Sequence, residues 1–136
     1  GRTSNEIVHL IDVFPTLAHL AGGKIPQDRV IDGVDQSNFF TASAEKSARE
    51  AMVIYIGNEL FGVKWRNWKL LLKEIDSDSY AVPDMAYPSI YNLIIDPKEE
   101  QPETFYLDDT WVDTPLWQVI SDHETSLEND LGSPGP

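Results

Sequence analysis

Apolar and polar positions alternate most regularly in the middle of the chain. Phe61, Val63 and Trp65 stand at every second position, and the same alternation resumes over residues 68–73. A period of two is typical of strands that turn one face toward a core. The two runs meet at Asn67, so they predict two antiparallel strands around a tight turn.

The other face of this predicted hairpin is basic, because Lys64, Arg66, Lys69 and Lys73 stand between the apolar positions. The whole chain carries a net charge of −13. Four cations grouped in so acidic a chain are able to attract an anion. The alternative interpretation is that they pair with the protein's own carboxylates.

Three further patterns complete a predicted α+β fold. Residues 52–56 form an apolar run that ends at Gly57 and predicts a buried strand. Another strand is predicted over Ser89–Ile95, because Asp96-Pro97 ends it sharply. Thr114-Pro115 opens a helix of about 14 residues. The predicted buried face of that helix consists of Leu116, Ile120, His123 and Leu127. The expected architecture is a small antiparallel sheet of about four strands packed against a C-terminal helix.

The first residues predict a short strand followed by a helix. The apolar run Ile7–Leu10 has the length of a strand. Asp12 is a suitable N-cap, Pro15 falls in the first helical turn, and Gly22-Gly23 ends the helix. The predicted buried stripe of this helix consists of Phe14, Leu17, Ala18 and Ala21.

These elements divide the chain into four predicted segments. Residues 1–23 resemble the end of another domain, and residues 24–50 form a connecting loop region rich in Gly, Pro and Asp. Residues 51–131 hold the sheet and the long helix, and residues 132–136 form a tail. The chain starts at Gly1 without Met, which predicts that a segment was removed or that the chain is a piece of a longer protein.

Composition narrows the classes of partner. Four Trp, five Tyr and five Phe supply apolar faces for a packed core. The net charge of −13 excludes nucleic acid as the leading partner and disfavours anionic membrane surfaces. From Glu99 onward there are ten carboxylates and neither Lys nor Arg, so this surface is either solvated or faces a basic partner.

Candidate catalytic chemistry is sparse in the sequence. With no Cys there is no thiolate zinc site and no Cys nucleophile, and the sequence lacks the Gly-x-Ser-x-Gly and His-Glu-x-x-His motifs. His9, His19 and His123 stand far apart and are interpreted as packing or interface histidines. Residues 76–80 start like a calcium loop but lack the Gly and Glu that complete one. The residues therefore assign no catalytic group and no metal ligand.

Nine segments, taken in order, resemble the sulfatase family; one of them is the dipeptide Asp28-Arg29. The N-terminal part of the resemblance contains the Asp-x-x-Pro-Thr motif, and the C-terminal part contains Asp-Pro-x-Glu. The other matching segments are Ser4–His9, Ile11–Ala18, Leu20–Gly23, Ile31–Gln36, Ser47–Glu50, Val63–Lys69, Ile90–Leu93 and Asp96–Glu100. The resemblance implies that residues 51–131 are a C-terminal sulfatase subdomain, preceded by the last strand and helix of an alkaline-phosphatase-like α/β catalytic domain.

The resemblance also implies a role in a larger enzyme. Sulfatases hydrolyse sulfate esters with a formylglycine made in a Cys/Ser-x-Pro-x-Arg motif and with Ca²⁺ or Mg²⁺. Those motifs precede this part of the family, and the chain contains no Cys/Ser-x-Pro-x-Arg. The chain is therefore expected to be non-catalytic alone, to border the active-site cleft and to stabilise the N-terminal catalytic domain of its parent. The implied substrate is an aryl sulfate or a sulfated carbohydrate, and the implied location of the parent is periplasmic or secreted.

The hairpin supplies the candidates for the rim of the substrate cleft. Lys69 comes first, then Arg66 or Trp65, which would attract sulfate by charge or stack on a ring. Some relatives place a His shortly after this lysine, where the chain has Leu70-Leu71. Core packing is the alternative interpretation for Trp65.

Two other interpretations stay open at this point. The chain is a stand-alone acidic binding module, or it is the same subdomain of a related phosphonate or phosphate monoesterase. A true fragment should expose the apolar faces of Ile7–Leu10 and of the first helix, because their partners would be missing.

Overall fold

A computed structural model describes residues 3–75, 78, 81–103 and 110–131 of the chain. The chain divides into two units, Gly1–Glu50 and Ala51–Pro136. None of the described helices is both long and apolar enough to cross a membrane.

The first unit contains two helices separated by irregular chain. A 3₁₀ turn over Leu10–Asp12 leads into α1, Val13–Leu20, and a single further turn, α2, covers Ser37–Phe40. Helix α1 ends as its glycines predict: Gly22 adopts φ 70°, and the Gly23 N–H donates to the Ala18 carbonyl at 2.8 Å.

The short strand predicted over Ile7–Leu10 is wrong. Residues 7–9 pair with no strand among the described residues. His9 instead caps the 3₁₀ turn, since its backbone N–H donates to Asp12 Oδ2 at 2.9 Å and the Asp12 N–H donates back to its carbonyl at 3.0 Å. This local exchange leaves the chain at His9 without the free backbone groups that a sheet requires.

The second unit contains the four-stranded antiparallel sheet that the sequence predicts. The strands are β1 (Ala51–Ile56), β2 (Glu59–Trp65), β3 (Trp68–Lys73) and β4 (Asp84–Asn92), and they lie in the order β1-β2-β3-β4. The predicted hairpin is β2–β3.

Strand β4 lies earlier in the chain than the predicted span of Ser89–Ile95. Its last residue, Asn92, pairs with Trp68, the first residue of β3. Beyond that point β3 offers no partner, and the chain turns, with the Asp96 N–H donating to the Asn92 carbonyl at 2.9 Å. Strand β4 therefore ends at the residue that pairs with the first residue of β3.

The C-terminal helix α3 spans Asp113–Leu131 and follows a 3₁₀ turn over Thr110–Val112. It contacts β1, β2 and β3, and this packing forms the core of the unit. The buried core residues are Val63, Leu70, Ile90, Val112, Leu116 and Ile120. Only the first half of the predicted helix face is buried, since Leu127 is 42% exposed. The four-stranded sheet with a C-terminal helix confirms the predicted α+β class.

Candidate functional site

A buried carboxylate organises the first unit. The Asp12 side chain is completely buried and accepts two N–H groups of Arg49, from Nη2 to Oδ1 at 2.6 Å and from Nε to Oδ2 at 3.0 Å. The backbone N–H of Val34 donates to Oδ1 at 2.8 Å. Burial raises the pKa of Asp12, but the hydrogen bonds from Arg49, Val34 and His9 outweigh it and lower the pKa from 3.8 to about 2.

A second buried polar side chain extends this network. The Gln36 N–H donates to Thr16 Oγ1 at 2.9 Å, and Gln36 Oε1 accepts the Ala48 N–H at 3.0 Å. The Ser47 hydroxyl donates to the Ile7 carbonyl at 2.6 Å. The buried residues of α1 are Pro15 and Thr16, and the polar network holds the helix at Thr16 and at the preceding Asp12.

The apolar stripe of α1 is exposed as a consequence. Its members are four residues of α1 and Leu10 of the preceding 3₁₀ turn, and they recur at helical spacing on the side away from the buried Asp12 and Thr16. Their exposed fractions are 83% for Leu10, 41% for Val13, 52% for Phe14, 59% for Leu17 and 52% for Leu20. The predicted buried stripe is thus wrong for this chain: Phe14, Leu17 and Ala21 are exposed and Ala18 is half-buried, because hydrogen bonds to Asp12 and Thr16 fix the orientation of the helix. We call these five residues the α1 apolar face.

Each of the three histidines has a polar partner within hydrogen-bonding distance. His9 Nδ1 accepts the Ile11 N–H at 3.3 Å. The His19 ring pairs with Asp35, and His123 Nε2 lies 2.9 Å from the hydroxyl of Tyr55.

Within the described residues, no group of three or more His, Asp or Glu side chains is arranged to hold a metal ion. Four residues of the segment that starts like a calcium loop lie outside those residues. The chain also lacks the Cys/Ser-x-Pro-x-Arg motif that a formylglycine requires. The donor set of the described residues does not fit the Ca²⁺ or Mg²⁺ that the resemblance implies.

Two of the hairpin cations pair with carboxylates of the same unit. Lys69 Nζ lies 2.5 Å from Glu99 Oε2, and the Lys69 side chain is only 18% exposed. Lys73 Nζ lies 2.6 Å from Glu59 Oε2. These two lysines therefore follow the alternative interpretation given above, in which the hairpin cations pair with the protein's own carboxylates.

The predicted rim residues do not all share one face. Lys69 pairs across the hairpin with Lys64, and Trp65 pairs with Trp68. Because neighbouring positions of a strand point to opposite faces, Lys69 and Trp65 lie on opposite faces of the sheet. Arg66 belongs to the turn, where its guanidinium stacks 4.7 Å from the centre of the Trp65 ring. The structure therefore brings Arg66 and Trp65 together and places Trp65 on the opposite face of the sheet from Lys69.

A third aromatic residue joins this end of the hairpin. The Trp111 ring packs edge-to-face against Trp65, with ring centres 6.3 Å apart, and against Trp68, with ring centres 5.9 Å apart. Trp111 was not predicted as a site residue. Its position shortly before the helix start at Thr114-Pro115 was the available signal, but only the packing of α3 on the sheet brings it to the hairpin.

Comparison with known proteins identifies the family. Mouse steryl-sulfatase is 38% identical over 86 residues, 63% of this chain and 13% of the relative. Human arylsulfatase D is 42% identical over 65 residues, 48% of this chain and 11% of the relative. The chain belongs to the sulfatase family. An ulvan-active sulfatase of Formosa agariphila is 33% identical over 68% of this sulfatase chain and 16% of the relative. No family model matches.

A solved sulfatase structure shares the fold. The PsFucS1 sulfatase from Pseudoalteromonas sp. superposes with a TM-score of 0.80 at 20% identity, over 96% of this chain and 28% of that chain. The chain thus corresponds to a C-terminal portion of a sulfatase, and it spans 11–16% of the length of the three curated relatives named above.

Proposed function

We propose that this chain is the C-terminal subdomain of an arylsulfatase-type sulfuric ester hydrolase, in which it stabilises the catalytic domain and borders the active-site cleft. The chain itself performs no catalytic step in this proposal. The nucleophile, a formylglycine, and the metal, Ca²⁺ or Mg²⁺, are supplied by the preceding part of the polypeptide. The substrate is an aryl sulfate or a sulfated carbohydrate.

The α1 apolar face is the observation that carries the proposal. Five large apolar side chains at helical spacing are between 41% and 83% exposed, and contiguous apolar patches of this kind mark surfaces that another element covers. The curated relatives are several times longer than this chain. We therefore assign the catalytic domain of the same polypeptide as the partner that covers the α1 apolar face.

The polar network behind α1 supports a preformed docking surface. Asp12, Arg49 and Gln36 hold the helix through its polar face, so its apolar face is presented without help from a partner. A surface that is ordered before docking avoids part of the entropic cost of association.

The decisive experiment begins with the intact mass of the native gene product in its source cells. We expect a mass several times 15.3 kDa, with a Cys/Ser-x-Pro-x-Arg motif upstream. The chain and the upstream part should then be co-expressed as two polypeptides and assayed with 4-nitrophenyl sulfate and 4-nitrophenyl phosphate. Sulfate hydrolysis only when both polypeptides are present supports the proposal.

The other interpretations give different results in the same experiment. A native mass near 15.3 kDa would favour the stand-alone acidic binding module. Hydrolysis of the phosphate ester in preference to the sulfate ester would favour the phosphate or phosphonate monoesterase.

The docking surface is tested by Leu17→Lys in the co-expressed pair. A lysine in the middle of the α1 apolar face should abolish co-purification and activity, because its charge would be buried against an apolar partner. Gln27→Lys is the matched control, since it adds the same charge at an exposed position outside that face. Equal activity of the two variants would contradict docking through α1.

A further inference from the structure

We propose that Asp32 is a modification site, at which isoaspartate forms by cyclisation onto Gly33, and that Arg49 keeps this site closed in the folded first unit. The reaction needs only water and no enzyme or ligand. The inference goes beyond the proposed function and is independent of it, because every residue involved belongs to Gly1–Glu50.

The chemistry follows from one dipeptide. Asp32-Gly33 is the only place in the chain where Gly follows Asp or Asn, and a residue without a Cβ offers the least obstruction to attack by its own backbone nitrogen. A bond forms between the Gly33 nitrogen and Asp32 Cγ, and the amide proton leaves with one carboxyl oxygen as water. Water then opens the five-membered ring at either carbonyl. Opening at the main-chain carbonyl gives isoaspartate, in which the backbone runs through Cβ and Cγ and the composition is unchanged.

Packing requires the glycine that makes Asp32 reactive. A Cβ at position 33 would collide with the Ile11 carbonyl oxygen and lie 2.9 Å from Pro15 Cγ. These atoms belong to the 3₁₀ turn and to the first turn of α1, so they have little room to move aside. Asp32 itself is exposed, so water has access to the ring. The fold therefore retains a reactive dipeptide at its surface.

The Asp12–Arg49 pair holds both peptide planes that meet at Gly33. Arg49 Nη2 donates to the Asp32 carbonyl at 2.7 Å, and this carbonyl shares a rigid peptide plane with the Gly33 nitrogen. On the other side, the Val34 N–H donates to Asp12 Oδ1 at 2.8 Å. The backbone is thus fixed before and after the reactive position.

Ring closure has to break the first of these contacts. The Gly33 nitrogen reaches Asp32 Cγ only when the peptide plane between the two residues rotates, which removes the Asp32 carbonyl from Arg49. The rate should therefore follow the population of the locally open form. A hydrogen bond from a charged donor changes such a population by about 10- to 100-fold. Isomerisation is thus slow while Arg49 is in place and fast once the contact is lost.

The test measures isoaspartate formation at neutral pH and physiological temperature. The whole 136-residue chain is compared with a synthetic peptide of residues 25–46, which is also the fragment that cleavage after lysine releases from the chain. Mass-spectrometric fragment ions that distinguish the two backbones locate isoaspartate within this fragment. Asp35 is the internal control, because Gln36 follows it and the Gln36 N–H is bound to Thr16.

We expect isoaspartate at Asp32 in the free peptide and none at Asp35. In the folded wild type the rate at Asp32 should be lower by at least about tenfold. Asp32→Glu should give no product at this position, because its ring would have six members. These results would establish the site and its closure by the fold.

Two variants of Arg49 test what closes the site. Arg49→Lys keeps a cation beside Asp12 but lacks the planar fork that reaches the Asp32 carbonyl as well. It should isomerise about 10- to 100-fold faster than wild type, while the Val34 N–H stays protected from exchange. Arg49→Gln should approach the rate of the peptide. Arg29→Gln is the matched control, because it removes an exposed cation of the same unit, and it should isomerise at the wild-type rate.

Other outcomes would overturn the inference. A wild-type rate equal to that of the peptide, or equal rates in wild type and both Arg49 variants, would refute a site that Arg49 closes. Isoaspartate at Asp35 as fast as at Asp32 would refute the role of Gly33. Acceleration in Arg49→Gln but not in Arg49→Lys would overturn the role of the Asp32 carbonyl contact and assign the closure to the ion pair alone.

Discussion

Substitution of Arg49 by Gln tests whether the buried carboxylate of Asp12 organises the first unit. The Arg49 side chain is 13% exposed and that of Asp12 is completely buried. Removing the cation leaves a carboxylate that is out of water and has lost its charged partner. Breaking a buried pair in this way typically costs about 3–5 kcal/mol.

The structure places the expected cost toward the low end of that range. Asp12 keeps the backbone N–H groups of His9 and Val34, at 2.9 and 2.8 Å, so its charge is not left without donors. The pKa of Asp12 falls from 3.8 to about 2, which corresponds to about 2 kcal/mol of differential stability. We therefore expect Arg49→Gln to destabilise the first unit by about 2–4 kcal/mol.

The chain divides into two units. Hydrogen exchange of individual amides is therefore the appropriate assay, because it reports the stability of each unit separately. The protected Val34 N–H reports the network directly. Its exchange should accelerate about 30- to 700-fold, the equivalent of 2–4 kcal/mol. Amides of the β2–β3 hairpin should be unaffected.

A control and a double substitution make the result specific. Arg29→Gln removes an exposed pair with Asp28, in which both side chains are about two-thirds exposed, and should cost less than about 0.5 kcal/mol. Combining Asp12→Asn with Arg49→Gln should cost at least about 1 kcal/mol less than the sum of the single substitutions. Additive effects, or an Arg49→Gln effect no larger than the control, would refute the assignment of this pair as the organiser.

Three further predictions concern the acid titration of Asp12, the Lys69–Glu99 pair and the core of the second unit. The folded-state pKa of Asp12 is depressed, so the stabilisation that Asp12 contributes is present above pH 3.8 and is lost as the pH falls toward 2. An acid titration of amide protection should show this loss in the wild type and little of it in Arg49→Gln. In the co-expressed pair of polypeptides, Lys69→Ala should raise KM for the sulfate ester, because the proposed cleft rim loses a cation. Glu99→Gln, which removes the 2.5 Å partner of Lys69, should leave KM unchanged. Equal KM values for Lys69→Ala and wild type would exclude the rim role. Leu116 is completely buried, so Leu116→Ala should destabilise the second unit by about 2–5 kcal/mol, measured by hydrogen exchange. Leu127→Ala should cost far less, because Leu127 is 42% exposed. Similar losses of stability in the two variants would contradict the observed helix packing.

Local patterns were sufficient for the hairpin and for the start of α3. The alternation on either side of Asn67 predicted β2 and β3, and Thr114-Pro115 predicted the start of α3 to within a residue or two. Both signals act between neighbours in sequence, through the period of side-chain directions and the backbone restriction of proline. The end of β4 was predicted less well, because a strand ends where its partner ends, and that partner is β3.

The sequence by itself therefore determined the class of fold, the hairpin, the long helix and the resemblance to sulfatases, because each depends on short-range order along the chain. Tertiary structure alone decided which face of α1 is buried, since Asp12 finds its partner in Arg49, 37 residues away. It also brought Trp111 to the hairpin through the packing of α3 on the sheet. In each case the deciding contact joins residues that are distant in sequence, where hydrogen bonding of a buried charge and packing of large rings outweigh the local pattern.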